Sequence, residues 1–149
     1  MKKCFLILLL TALIFGLTGC SKDRMILDGY NKSEEYWNKS GFQDYTDYCK
    51  YYYNDSSLFK ENAYYKLVKQ TDIEELRGYF NNFYEWMKTS NRLNEYDFLN
   101  DYISEGDYFY IKTKEGEKIG NSYYGKYDNY TIYFFDTDQN ILYYIHSNM

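Results

Sequence analysis

Histidine and cysteine, which most often bind zinc or act as base and nucleophile, are scarce in this sequence. His146 is the only histidine among 149 residues. A zinc site needs several His, Cys or carboxylate ligands, and a Ser-His-acid site would have to use this one histidine. We therefore expect His146 to face solvent or to be capped by hydrogen bonds. The sequence contains no HExxH, CxxC or glycine-rich phosphate loop, so it predicts no bound metal and no cofactor.

One loop has the beginning of a calcium-binding pattern. Asp136-x-Asp138-x-Asn140 matches the opening spacing of an EF-hand loop. The pattern then requires a glycine and, six residues later, a glutamate, but this chain has Ile141 and Ser147 there. Asp and Asn also form tight turns through their own side chains. We therefore interpret residues 136–140 as a turn between two strands.

Two further candidates for chemistry have structural interpretations. Cys49 lies on an apolar stripe, which predicts a buried and unreactive thiol. The adjacent Glu74 and Glu75 could be imagined as a catalytic acid pair, but neighbouring residues of a helix point in different directions. The sequence therefore assigns no catalytic residues.

Tyrosine is the residue type most open to a binding role, because the chain has 22 of them. A ring with a polar tip suits the recognition of sugars or peptides. Tyr51, Tyr52 and Tyr53 form one cluster. Tyr123, Tyr124 and Tyr127 form another, and this second cluster is the candidate binding patch. The alternative is that a chain so rich in tyrosine exposes some of them by composition alone.

The first 20 residues have the three parts of an export signal. Met1-Lys2-Lys3 is positively charged, residues 4–17 form an apolar run, and small residues follow. The run is shorter than the roughly 20 apolar residues that span a bilayer. The tetrad Leu17-Thr18-Gly19-Cys20 resembles the lipobox of bacterial lipoproteins, which is a branched apolar residue, a small residue, Gly or Ala, and then Cys.

This resemblance implies that Cys20 receives a diacylglycerol and that residues 1–19 are removed. The protein would then be a lipid-anchored component of the cell membrane, facing the outside of the cytoplasmic membrane, where two acyl chains anchor stably and one only marginally. Residues 20–32 would form a lipidated tether and residues 33–149 a single domain. With Cys4 removed and Cys20 acylated, Cys49 would have no disulfide partner.

Size and charge limit the classes of partner. Removal of residues 1–19 from the 149 leaves 130, which is enough for one domain with its own core. Loss of Lys2 and Lys3 reduces the 17 basic residues to 15 against 22 acidic ones, so the side chains carry a net charge of −7. This charge argues against binding nucleic acid and against a polybasic attachment to anionic lipid.

Hydrophobic spacing predicts the helices that would position these residues. Over 33–53, the residues Phe42, Tyr45, Cys49 and Tyr52 recur at helical spacing, which predicts N-terminal helices. Over 71–89, Thr71 and Glu74 match a capping box, and a continuous apolar stripe follows. The stripe consists of Ile73, Leu76, Phe80, Phe83 and Met87.

Alternation of side chains predicts strands over 63–69, 107–113, 130–136 and 141–146. One or two helical turns are expected between 91 and 106. The expected fold class is α+β, with N-terminal helices and one strong central helix packed on a mostly antiparallel sheet of three or four strands.

The leading hypothesis for function is a non-enzymatic binding or interaction module. It would be held at the membrane through the lipid on Cys20 and would bind an unknown protein or carbohydrate ligand, but no nucleic acid. One alternative is a small enzyme that acts on envelope carbohydrate through acidic residues. Another is a self-assembling surface component.

Overall fold

The computed structural model describes residues 24–38 and 45–148. Within them, six antiparallel strands form one sheet in the order β1-β2-β8-β7-β4-β3, and β5 pairs with β6 in a separate hairpin. The strands are β1 (Lys32–Tyr36), β2 (Tyr45–Tyr52), β3 (Lys66–Leu67), β4 (Tyr108–Thr113), β5 (Lys118–Ile119), β6 (Ser122–Tyr123), β7 (Asn129–Asp136) and β8 (Ile141–Asn148). The helices are α1 (Ser57–Glu61) and α2 (Gln70–Thr89), followed by short 3-10 turns at Leu93–Glu95 and Asn100–Tyr102. Residues 1–23, with Cys20 and the lipobox, lie outside the described residues.

The expected fold class, α+β with N-terminal helices and one strong central helix packed on a sheet of three or four strands, is wrong, because the described residues form mostly a sheet of antiparallel strands with few helices. Residues 32–36 and 45–52 are strands, and the sheet has six. Strand β2 lies between β1 and β8 and is buried on both faces, so that Tyr48 and Cys49 are both fully buried. Five of the eight residues of β2 are aromatic or cysteine and they lie on both faces, so a helical spacing can be found among them by chance.

The predicted helix over 71–89 is present as α2. All five residues of the predicted stripe are buried, and Tyr79 is buried with them. The cap differs from the prediction, because the backbone N–H of Lys69 donates to the carboxylate of Asp72 at 2.9 Å. Asp72, rather than Glu74, therefore supports the first turn. In the described part of the chain, no helix combines the length and apolar character needed to cross a bilayer.

Helix α2 packs across one side of the sheet, which we call the helix face. Phe80 stacks on Phe98 with ring centroids 3.8 Å apart, and Phe98 meets Tyr143 edge-on at 4.9 Å. Phe83 is fully buried in the same cluster. Aromatic pairs of this kind add roughly 0.5–1.5 kcal/mol each beyond the burial of their area. Ring packing therefore holds the helix to the sheet.

The opposite side, which we call the back face, is covered at one end by residues 24–30 and by α1. Phe59 of α1 stacks on Phe135 of β7 with ring centroids 3.9 Å apart. The hydroxyl of Tyr53 donates to the carbonyl of Leu27 at 2.7 Å, which satisfies a polar tip within the aromatic cluster. The described part of the expected tether therefore lies against the sheet.

The three predicted C-terminal strands are confirmed as β4, β7 and β8. The strand predicted over 63–69 is present only as the two residues of β3. The interpretation of residues 136–140 as a turn is also confirmed. The Asp136 carboxylate accepts the backbone N–H groups of Asp138 and Gln139, both at 2.9 Å. Asn140 has a φ of 55°, a conformation that Asn adopts more readily than most residues.

Candidate functional site

An open groove of about 750 Å³ lies between the outer strand β4 and the first half of α2. We call it the edge groove. Its floor comes from β4, its wall from α2 and its lip from the segment that leads into the helix. The lining includes Phe109, Ile111 and Thr113 of β4, Asp72, Glu75 and Tyr79 of α2, and Tyr64, Lys66 and Leu67 of the lip.

The floor of the edge groove is a strand that is fully paired on only one side. Strand β7 pairs with β4 along its whole length. Strand β3 pairs with only two of its residues, Tyr108 and Phe109. The outer side of β4 beyond Phe109 is therefore left open within the described sheet.

The register shows which backbone groups face this opening. The N–H of Lys114 donates to the carbonyl of Asn129 at 3.0 Å, across the β4–β7 side. In an antiparallel pair, alternate residues direct their N–H and C=O groups to opposite neighbours. Ile111 and Thr113 therefore direct theirs away from β7. Such outward groups are the usual template for an added strand.

The lip of the groove carries exposed apolar side chains. Tyr64 is 64% exposed and Leu67 is 49% exposed. The ring of Tyr64 lies edge-on to that of Tyr110, with centroids 6.2 Å apart. Ile111 is half-buried on the floor. Apolar side chains thus stand on both sides of the open backbone groups.

The acidic side chains of the α2 wall already have partners. Asp72 accepts the Lys69 N–H that begins the helix. Glu75 forms a salt bridge with Lys126 at 3.0 Å, and this hydrogen bond raises the pKa of Lys126. The Lys126 ammonium also lies 5.4 Å from the ring centre of Tyr79. These carboxylates hold the wall together and do not form a facing pair of the kind that glycoside hydrolysis uses.

The candidate patch of Tyr123, Tyr124 and Tyr127 occupies three different environments. Tyr123 is 68% exposed on the β5–β6 hairpin. Tyr124 is half-buried, with the Lys114 ammonium 5.6 Å from its ring centre. Tyr127 packs edge-on against Tyr79, with ring centroids 5.1 Å apart.

Tyr127 also explains why a glycine occurs within α2. A Cβ on Gly78 would lie 2.6 Å from the Tyr127 hydroxyl oxygen, which is closer than atoms can pack. Gly78 costs the helix about 1 kcal/mol relative to alanine but lets the connection between β4 and β7 approach it. Tyr127 therefore closes one end of the α2 wall.

The first tyrosine cluster and Cys49 are mostly internal. Tyr51 and Tyr53 are buried, and Tyr52 is half-buried beside Glu34, to which its hydroxyl donates at 3.0 Å. Cys49 is fully buried, and burial raises the pKa of its thiol to about 12. The prediction of a buried thiol is confirmed.

His146 is capped by hydrogen bonds. Its Nδ1 lies 2.8 Å from the hydroxyl oxygen of Thr131, and its Nε2 lies 3.1 Å from that of Tyr45. Burial lowers the pKa of this imidazole. Because both ring nitrogens have partners, His146 belongs to a hydrogen-bonded chain and is not a free base.

Buried carboxyl groups also have structural partners. Burial raises the pKa of Asp107, but its two oxygens accept the N–H groups of Thr137 at 2.9 Å and Ser104 at 2.8 Å.

The exposed Glu74 pairs with Arg77 at 3.1 Å, whereas Glu75 lines the edge groove. Among the described residues, no group of three or more His, Cys, Asp or Glu could hold a metal ion.

Sequence reasoning missed the edge groove. The alternation over 107–113 identified β4 correctly, but it does not tell which side of a strand will be paired. The sequence did not show that β3 has only two residues, Lys66 and Leu67. The seven-residue strand predicted over 63–69 would have paired with more of β4. The exposed side chains Tyr64 and Leu67 were assigned to that strand and not to a binding surface.

Comparison with known proteins gives no assignment: no family model, no curated protein and no solved structure matches this chain.

Proposed function

We propose that this protein is a lipid-anchored binding domain on the outside of the cytoplasmic membrane, and that its edge groove binds an extended segment of a partner polypeptide. The segment would add to the sheet as a strand beside β4. The observation that carries this proposal is the open side of β4, where Ile111 and Thr113 direct backbone groups into a groove that the α2 wall flanks.

Backbone hydrogen bonds would supply part of the affinity. Two outward residues offer two donors and two acceptors, and each bond contributes about 0.5–1.5 kcal/mol net. Strand addition gains its affinity in this way and takes its specificity from pockets for alternate side chains. The number of bonds is small, so side-chain contacts must supply the remainder.

The groove is lined by charged residues such as Lys66 and Lys69 and also by an apolar part, which favours apolar side chains in the segment. On the helix face, alternate residues of the added strand would meet Tyr79 and Ile111. On the back face, the intervening residues would meet Tyr64 and Tyr110. Branched or aromatic side chains suit both surfaces and also favour the extended conformation.

The anchor rests on the sequence alone. The tetrad ending at Cys20 supports lipidation, and the negative charge of the mature chain supports attachment by lipid rather than by basic residues. Substitution Cys20→Ala should abolish incorporation of a labelled fatty acid and leave the precursor uncleaved. Normal labelling of this variant would refute the anchor without affecting the groove.

Binding can be tested with defined peptides. The full chain in maltoside micelles would be used to select peptides from a random displayed library, and their affinities would be measured by titration calorimetry. Methylating a peptide nitrogen removes one donor. In an added strand, methylation at alternate positions should weaken binding roughly two- to tenfold per lost hydrogen bond, and methylation at the intervening positions should not.

A matched pair of variants locates the site. Leu67→Lys places a charge on the lip and should weaken peptide binding by about tenfold or more. An apolar contact is lost, and a charged lysine at the edge disfavours pairing with an added strand. Leu99→Lys makes the same change at an exposed leucine outside the groove and should have no effect. Equal affinities for both variants, or no dependence on the position of methylation, would refute strand addition.

A further inference from the structure

The back face changes character along its strands. Four cross-strand rows follow from the register of β2, β8, β7 and β4. Two rows are apolar or aromatic, namely Tyr51–Leu142–Phe135–Tyr108 and Cys49–Tyr144–Tyr133–Tyr110. The next two are polar, namely Asp47–His146–Thr131–Lys112 and Tyr45–Asn148–Asn129. Lys114, just after β4, extends the second of these rows, because its N–H donates to the Asn129 carbonyl. We call these two rows the polar end.

The polar end contains a cavity of about 180 Å³. Its walls include the polar side chains of Thr131 and Asn129, which are only 8% and 7% exposed. The Asn129 amide donates to the Asn148 side chain, and the Thr131 hydroxyl is hydrogen-bonded to His146. A polar cavity of this size is suited to a small polar ligand.

Two lysines bring positive charge to one side of this cavity. Lys112 and Lys114 line it, and both of their charges lower the pKa of His146. Neither forms a salt bridge with another described residue, whereas Lys50, Lys88 and Lys126 all do.

His146 connects the two sides of the cavity. It lies between Thr131 and Tyr45, with hydrogen-bond distances of 2.8 and 3.1 Å, and its pKa is lowered first by burial. Asp47, beside it in the same row, acts in the opposite direction and tends to raise that pKa. Asp47 accepts the N–H of Asn38 at 2.7 Å, so one of its carboxylate oxygens already has a hydrogen-bond partner.

We propose that the polar end is a binding site for a phosphate group, held by the ammonium groups of Lys112 and Lys114 and by one hydroxyl donor, from whichever of Thr131 and Tyr45 accepts the His146 N–H. Lysine binds phosphate as a compact point charge, and a hydroxyl group completes the set of donors around a tetrahedral oxyanion. The site lies on the opposite face from the α2 wall, and Thr113 of β4 lines both this cavity and the edge groove. The phosphate can belong to a free phosphate compound or to a lipid headgroup, because both present the same oxygens.

The single histidine makes this proposal measurable. With ¹³C-labelled histidine, the full chain in maltoside micelles gives one imidazole Cε1 resonance from His146. Inorganic phosphate should shift this resonance along a saturating curve at constant ionic strength, and the bound negative charge should raise the pKa of His146. Soluble short-chain phosphatidylglycerol, titrated separately, distinguishes a lipid headgroup from free phosphate as the better ligand.

Variants separate a site from general charge effects. The double substitution Lys112→Met and Lys114→Met keeps the apolar stems and should weaken binding by about tenfold or more, because two charges are lost. Lys118→Met removes a similar exposed charge from β5, outside the cavity, and should leave the curve unchanged. A shift that does not saturate with either ligand, that chloride reproduces, or that the double variant retains in full would overturn the proposal.

Discussion

The two ends of the sheet differ in the side chains that flank their unpaired backbone groups. Strand β1 carries the sequence Lys-Ser-Glu-Glu-Tyr, and Lys32, Glu34 and Lys50 form salt bridges along it. At the opposite end, β4 presents the half-buried Ile111 beside the exposed Leu67. Charged residues on an edge strand discourage pairing with other chains, and apolar ones invite it.

Both ends of the described sheet have an unpaired edge, and they differ in the side chains that flank it. Both strands belong to the same antiparallel sheet and are stabilised by the same core. If an open edge were merely tolerated by this fold, both ends would be expected to look alike. Strand β1 is protected by its charges, and the proposed strand addition concerns the other end, where β4 is left open beyond Phe109.

The largest expected effect comes from removing the support that both edges share. Phe83 is fully buried under α2, and Phe83→Ala should cost about 3–5 kcal/mol in the free energy of unfolding. The adjacent Tyr84 is 41% exposed, and Tyr84→Ala should cost less than about 1 kcal/mol. Urea unfolding followed by circular dichroism measures both. Equal losses for the two variants would show that the helix phase is wrong.

A smaller effect is expected at the charged edge. The ammonium of Lys50 lies 2.7 Å from Glu34 and 2.6 Å from Asp97, and the residue is 8% exposed. Lys50→Met should destabilise the fold by about 1–3 kcal/mol, because two carboxylates lose a charged hydrogen-bond donor. Lys88→Met breaks an exposed pair with Glu85 and should cost no more than about 0.5 kcal/mol.

The same cluster should respond to acid. Hydrogen bonds from Lys32 and then Lys50 lower the pKa of Glu34 from 4.5 to about 2. A lowered folded-state pKa stabilises the fold above the unfolded value of 4.5, and this stabilisation is lost as the pH falls toward 2. Glu34→Gln should therefore be less stable than the wild type at neutral pH and should lose less on acidification through this window. A wild-type and a variant curve that stay parallel would contradict the assignment.

The smallest effect is expected from a substitution that makes the charged edge strand β1 more like the open side of β4. Glu35 is exposed on β1, and Glu35→Val should raise the rate of aggregation with little change in stability, because an edge charge is replaced by a strand-forming residue. Glu61→Val makes the same charge change at the end of α1 and should raise it less. Light scattering of the full chain in maltoside micelles at equal concentrations measures both rates. Equal rates would mean that net charge, and not the edge, controls association.

Local patterns predicted the elements whose side chains have one clear periodicity. The stripe of α2 is buried on one side only, so its spacing was visible, and the turn at Asp136 depends on its own carboxylate. The start of α2 was less well predicted, since both Thr71 and Lys69 precede an acidic residue at the required distance. The structure selects Lys69 and Asp72.

By itself the sequence determined the long helix, the C-terminal strands and the aromatic nature of the core, because each of these depends on the order of neighbouring residues; the export signal stays a prediction. Only the tertiary structure decided that β2 is a strand, that β4 is left open and that Lys112, Thr131 and His146 share one row. These three facts depend on which segments pair across the sheet and in what register. A strand carries no local mark of its partner, and a shift of one residue would move its side chains to the other face.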